Sequence, residues 1–174
     1  MRIEVVAATE EDRPLLANLI QFYLYDFTDF KEWDVQEDGR FGDYGLDGCW
    51  TSDYRHPFLI RANGKLAGFA IIDDRSHLTG ERGVWDVADF FVLRRYRRCG
   101  TGGHAARLLF DRFRGRWEVR IMAANQGALA FWRKVISRYT DAQFEEVQWN
   151  DARWRGPVHF FDNGPRRVTP GHGA

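Results

Sequence analysis

The spacing of apolar and polar positions changes several times along the chain, and each change marks an element. Residues 3–8 (IEVVAA) read as a first strand. Thr9, Glu10, Glu11 and Asp12 then read as a helix start, because a threonine hydroxyl caps free amides and acids suit the positive end of the helix dipole. Leu15, Leu16, Leu19, Ile20, Tyr23 and Leu24 follow at helical spacing and predict one amphipathic face. Residues 26–54 are rich in Gly, Asp and aromatics and predict a long loop with a helical turn or two. A loop of that length in a compact domain usually serves function. Apolar runs at 56–61 and 65–72 flank Ala62-Asn63-Gly64, and Asn-Gly between such runs predicts a hairpin. A strand at 83–92 leads into a glycine-bearing turn. The helix after it turns Ala105, Leu108, Leu109 and Phe113 inward. A strand at 117–122 and a helix at 128–139 come next, the helix burying Ala128, Phe131, Trp132, Val135 and Ile136. Strands at 144–149 and 157–161 close the order, and residues 165–174 read as a disordered tail. Hairpins first, then strand–helix–strand–helix, predict a mixed α/β (α+β) sheet. The 174 residues suit one domain, placed at residues 1–163 with a tail at 164–174.

Composition narrows the function classes. Lys plus Arg total 25 and Asp plus Glu total 25, which argues against a globally basic nucleic-acid binder. Hydrophobic residues make up 44%, enough for a core rather than a disordered chain. No apolar run approaches the ~20 residues of a membrane span, and the first residues lack a signal-peptide pattern, so a cytoplasmic protein without membrane contact is expected. Two cysteines, Cys49 and Cys99, allow neither a disulfide framework nor a four-thiolate zinc site, and no other pattern implies a metal. The charge is nevertheless segregated. Residues 26–53 carry nine acidic and two basic residues, and residues 94–138 carry twelve basic ones against Asp111 and Glu118. Two readings follow: solvated faces that attract each other across the fold, or an anionic ligand near the basic stretch and a cationic one near the acidic stretch.

A specific pattern lies inside the basic stretch: Arg97-Arg98-Cys99-Gly100-Thr101-Gly102. Glycines that open a helix after a strand expose consecutive backbone N–H groups, and the helix dipole adds to them as a phosphate site. A Cβ would hold the anion off the backbone, and neighbouring arginines add bidentate hydrogen bonds. A P-loop requires Lys then Ser or Thr after the last glycine, but His104 and Ala105 follow Gly103. The dinucleotide pattern G-x-G-x-x-A is matched by Gly100, Gly102 and Ala105, but seven residues separate the strand from the first glycine. The third pattern, R/Q-x-x-G-x-G/A, is matched by Arg97, Gly100 and Gly102.

That hexapeptide, the preceding Phe91-Val92-Leu93-Arg94-Arg95-Tyr96-Arg97, and a later Asn125…Ala128…Phe131-Trp132 together resemble the landmarks of the GNAT superfamily of N-acetyltransferases, in the family's order from residue 3 to 161. The resemblance implies a mostly antiparallel mixed sheet with flanking helices and a splayed central parallel pair. Acetyl-CoA would be the cosubstrate, its pantetheine arm lying in the gap and pairing with main-chain groups of Phe91, Val92 and Leu93. A bulge there would free an N–H for the thioester oxygen. Arg97, Arg98, Cys99, Gly100, Thr101, Gly102, Gly103 and His104 would hold the pyrophosphate, with Asn125 and Trp132 beside the cofactor. Asn125 also reads as a helix N-cap, and the two roles are compatible.

The implied reaction is direct attack of a neutral amine on the thioester in a ternary complex. An amine with pKa near ~10 must first lose a proton, so a base is required. Asp89 and Asp86 are the candidates, with Glu81 and the acidic loop as further sources. Three residues apart on a regular strand, Asp89 and Asp86 face opposite sides; each also reads as a structural carboxylate. Many relatives carry a tyrosine at the second aromatic after the Asn landmark to protonate the departing thiolate, and this chain has Trp132 there. Tyr139 reads as core. The substitution motivates an alternative, a non-catalytic acyl-CoA-binding or sensor domain. Trp33 and Trp50, in the acidic loop, are candidates to line a pocket for a cationic amine. His56 reads as a strand-entry residue, Cys99 as a small spacer, and Cys49 as packed under the long loop. The acceptor, a small-molecule or protein amine, and the oligomeric state, with a homodimer open, stay unassigned.

Overall fold

The computed structural model describes residues 1–42 and 44–165. The expected tail falls almost wholly outside them. Among the described residues seven strands form one sheet: β1 (Ile3–Ala7), β2 (Arg55–Ala62), β3 (Lys65–Arg75), β4 (Arg82–Val92), β5 (Arg116–Arg120), β6 (Glu145–Asn150) and β7 (Arg155–Asp162). Their order is β1-β2-β3-β4-β5-β7-β6, antiparallel at every step except the parallel β4–β5 pair. The helices are α1 (Arg13–Phe27), α2 (Gly48–Thr51), α3 (Thr101–Arg112) and α4 (Gln126–Tyr139).

Each face of the sheet carries its own core. Leu16, Leu19, Ile20 and Leu24 of α1 pack on Leu59, Phe69 and Ile71. On the other face, α3 and α4 bring Leu109, Phe110, Trp132 and Ile136 against Ala70, Ile72, Val87, Trp117 and Phe161. Successive residues of β3 thus feed opposite cores, which is why residues 67–72 are all buried and read as an unbroken apolar run. The expected hairpin turns at Asn63 (φ 50) and Gly64 (φ 77), joining Ala62 to Lys65. Two positive φ values make the primed turn that matches strand twist. Ahead of α1, the Asp12 carboxylate accepts the backbone N–H of Thr9 at 2.9 Å. The inner face of α3 differs from expectation. Ala106 and Phe110 are buried with Ala105 and Leu109, whereas Phe113 lies beyond the helix and packs on Trp85 at 4.3 Å. The helix ends one residue earlier than its apolar spacing implied.

Candidate active site

β4 and β5 pair only at Val84–Arg116, Trp85–Trp117 and Asp86–Glu118. β4 runs on to Val92, while β5 follows β7 through Arg120–Val158 and a bond from Ile121 N to Pro157 O at 2.9 Å. The two strands therefore part after Asp86. A cleft of about 550 Å³ fills the gap, with Asp89 and Phe90 on one wall and Arg120 and Ile121 on the other. A groove of about 480 Å³ continues it past Phe90, Val92, Asn125 and Trp132 to Arg97, Arg98 and Gly102.

Strand alternation decides which backbone groups face the gap. Leu93 N donates to Ala67 O on β3 at 2.8 Å, and Phe91 lies opposite Phe69 two residues earlier in the same ladder. Phe91 and Leu93 are thus turned to β3, and the open edge is formed by Phe90 and Val92. This corrects the expectation for Phe91 and Leu93. Arg97 Nε already donates to Val92 O at 2.6 Å. The guanidinium of Arg97 also pairs with Asp26, which holds Arg94 at 2.8 Å as well. Here the acidic and basic stretches meet, at the end of α1.

The turn after β4 keeps its amides free. Among the described residues, none of the backbone nitrogens from Arg98 to Gly103 donates to a protein oxygen, and His104 N makes the first helical bond, to Gly100 O at 3.0 Å. At Gly100 the lack of a side chain serves conformation rather than space, since φ is 90 and nothing crowds the position. Gly102 is a matter of space, since a Cβ would stand 3.2 Å from the Phe131 ring. Arg98 adopts φ 60, uncommon for a residue with a side chain. Thr101 is buried, Cys99 is exposed with its Sγ 3.1 Å from Tyr96 O, and a Cβ on Gly103 would stand 3.5 Å from Val135. Arg98, His104, Arg107, Lys134 and Arg138 ring the outer side of the turn around a hollow of about 490 Å³.

At the other end of the cleft lies a buried cluster of charged groups. The register of β3 on β4 slips between Ile71–Asp89 and Ile72–Val87, leaving Ala88 as an extra residue. This bulge turns Asp86 and Asp89 to the same face, correcting the opposite facing expected of a regular strand. Asp86 is bound by Arg120 through Nε at 3.1 Å and Nη2 at 2.7 Å, and it does not border the cleft. Asp89, 4% exposed, does. Its Oδ1 accepts the hydroxyls of Tyr23 (2.9 Å) and Tyr44 (2.6 Å), and Arg55 reaches its Oδ2 at 3.3 Å. Burial, and then the neighbouring Asp89, pushes both tyrosines upward, so both remain protonated donors. Arg55 also faces Asp73 at 3.8 Å, whose carboxyl is pushed up to about 6 by burial.

Comparison with known proteins then decides the family. The family model described as Acetyltransferase (GNAT) family matches residues 16–136. The chain belongs to the GNAT acetyltransferases. Among curated proteins none is similar enough in sequence to match. Among solved structures, an acetyltransferase from Thermus thermophilus superposes with a TM-score of 0.64 at 14% identity, over 93% of this chain and 97% of that one. The ribosomal-protein-S18-alanine N-acetyltransferase of Escherichia coli gives 0.59 at 15% identity, over 94% and 96%. Spermidine N-acetyltransferase from Vibrio cholerae, solved with CoA and spermine, gives 0.60 at 10% identity, over 92% and 95%. These likenesses are in fold. The GNAT reaction, transfer of an acetyl group from acetyl-CoA to an amine, is the activity that family membership carries.

The remaining GNAT landmarks fall around the same groove. Asn125 caps α4, its Oδ1 accepting Ala128 N at 2.9 Å, and it borders both cleft and groove. Trp132 borders both as well, 5.1 Å from the Phe90 ring and edge-on to it. Tyr139 bonds Asp111 and Asn163, away from the cleft. Trp33 stacks on Phe27 and Trp50 lies under Arg13; neither borders the cleft. Among the described residues of the acidic stretch, Phe27, Lys31 and Tyr44 border the cleft. Tyr23, Tyr44, Arg55, Arg120 and the turn at residues 151–155 went unnoticed in the sequence. One signal was available for Tyr23: a tyrosine on an apolar helical face needs a partner for its hydroxyl.

Proposed function

We propose that this chain is an acetyl-CoA-dependent N-acetyltransferase in which the parted β4–β5 pair holds the pantetheine arm and Asp89 serves as the base. The observation that carries this reading is the continuity of one groove. It runs from free turn amides and cations, past the open edge of Phe90 and Val92, to a buried aspartate. At the first end, the amides of residues 98–103 and Arg98 receive the pyrophosphate. In the middle, the open strand edge pairs with the amide groups of the pantetheine arm, and Asn125 and Trp132 wall it in. The bulge at Ala88 places a kinked backbone beside the thioester, where an N–H facing the carbonyl stabilises the oxyanion as it forms.

Asp89 is the better placed of the two aspartates. Asp86 gives both oxygens to Arg120, whereas Asp89 borders the cleft with its two tyrosines. The amine passes its proton toward Asp89 as it attacks the thioester carbon, and the tetrahedral intermediate then expels the CoA thiolate. A thiol of pKa near ~8.5 leaves without obligatory protonation. Tyr23, which borders both cleft and groove, is the hydroxyl closest in kind to the tyrosine that Trp132 replaces.

The test is release of free thiol from acetyl-CoA over a panel of small and peptide amines, with calorimetry of CoA binding in parallel. Asp89→Asn is expected to lower kcat by about 10²–10⁴-fold, the range for loss of a general base, while CoA affinity is kept. CoA binding with no thiol release from any amine would instead establish a binding or sensor domain.

A further inference from the structure

The acceptor end of the cleft is walled by the turn between β6 and β7. Asp151 N bonds Trp154 O at 3.0 Å, and the Asp151 carboxylate accepts the backbone N–H groups of Arg153 (2.7 Å) and Trp154 (3.0 Å). The turn is therefore a formed structure, and it sets Arg153 and Arg155 on either side of Trp154. Both arginines border the cleft, as does Lys31. Among the described residues no carboxylate lies in ion-pair range of these three cations. Arg153 donates to the Leu78 carbonyl, which orders its guanidinium without neutralising it. Asp89 pairs with Arg55 and Arg120 with Asp86, while the Asp151 carboxylate, which also borders the cleft, is held by the N–H groups of its own turn and feels the charge of Arg153. Arg120 also lies over the Trp154 ring at 4.9 Å, tying the turn to β5.

Three cations that make no ion pair among the described residues, set against the carboxylate of Asp151, leave this wall net positive where an amine must come. A polycationic acceptor meets repulsion there, and an amine that carries an oxyanion elsewhere in the same molecule meets attraction and guanidinium donors. We infer that the acceptor is a small amine bearing a second, anionic group, a carboxylate or a phosphate, held by Arg153, Arg155 and Lys31 while the amine is directed to Asp89. This rests on the transferase reading and names the substrate class for the same cleft. It also reverses the polarity expected from the acidic stretch, because among its described residues that stretch sends Lys31 and no carboxylate to this cleft.

Matched amines test it by thiol release from acetyl-CoA at low and high salt. The pairs are phosphoethanolamine with ethanolamine, and several α-amino acids each with its carboxamide; spermidine is the polycationic arm. The anionic member of at least one pair is expected to show kcat/KM about tenfold or more above its neutral partner, with the gap narrowing in salt. The phosphate and carboxylate pairs show which oxyanion is preferred. Arg155→Glu is expected to abolish that ratio and Arg155→Lys to keep most of it. Lys31→Glu, on an exposed segment, gives the same loss of ratio should changes at the turn disturb folding. Equal rates within every pair, or preference for spermidine, overturn the inference and leave the transferase intact. Thiol release from no amine at all overturns both.

Discussion

Asp73 shows how a single residue records its surroundings. Burial raises its carboxyl to about 6, with Arg55 pulling the other way. The folded protein then holds this proton more tightly than the unfolded chain does. The stability the group contributes is full below about pH 4 and is lost as pH rises through about 6. Two pKa units correspond to roughly 3 kcal/mol, so Asp73→Asn is expected to stabilise the protein by up to about that much near pH 8 and by little near pH 4. Denaturant unfolding of both proteins across that range checks the sign; equal midpoints throughout would show Asp73 to be unperturbed. Arg97 and Arg98 make a second contrast at this scale. In sequence both belong to the same basic run and both were expected to meet phosphate. In the structure Arg97 is tied to Val92 O and Asp26, whereas Arg98 borders the groove with no ion pair among the described residues. One is a brace for the strand edge and the other a free cation, a distinction set by the end of α1.

Among the elements, β3 and β4 matter most, because their register positions everything the cleft uses. The ladder is tight where the gap opens: a Cβ on Gly68 would collide with the backbone carbonyl of Phe91. Gly68→Ala must push β4 outward at Phe91 and Val92. Such overpacking costs about 1–3 kcal/mol, and a loss of that size in urea unfolding is expected, together with weaker CoA binding. Ordinary stability would mean that the strands relax freely at this point. A few residues along, the bulge at Ala88 lets two aspartates three positions apart share a face. Strand periodicity read from sequence assumes no inserted residue, so it places Asp86 and Asp89 on opposite sides. Only the pairing with β3 shows otherwise.

For the whole molecule, the neutral net charge conceals two cationic ends of one channel. The proposed cofactor end carries Arg98, Arg107, Lys134 and Arg138 around the turn amides, and the proposed acceptor end carries Lys31, Arg153 and Arg155 beside Asp89 and Asp151. CoA is a polyanion, and exposed charges of this kind are screened by salt. Its affinity is expected to fall several-fold as ionic strength rises, less for dephospho-CoA, and Arg98→Glu is expected to weaken it about tenfold or more. A salt-independent affinity would place the phosphates elsewhere.

The chain's own pattern determined much of this. The strand and helix order, the Asn63-Gly64 hairpin, the glycine turn opening α3 and the Asn125 cap are all local. Each depends on conformational preference or hydrophobic period within a dozen residues, and such preferences are written in the residues themselves. The proposed acceptor end was assembled by tertiary structure, with Asp89 the one member that the sequence had offered as a candidate. Tyr23, Tyr44, Asp89, Arg120 and Arg153 come from α1, the long loop, β4, β5 and the last turn, and no spacing links them. Which charges stay uncompensated depends on partners brought from distant parts of the chain, as Asp26 is to Arg97 and Asp86 to Arg120. Desolvation acts on the same groups only once both layers of helices have closed over the sheet.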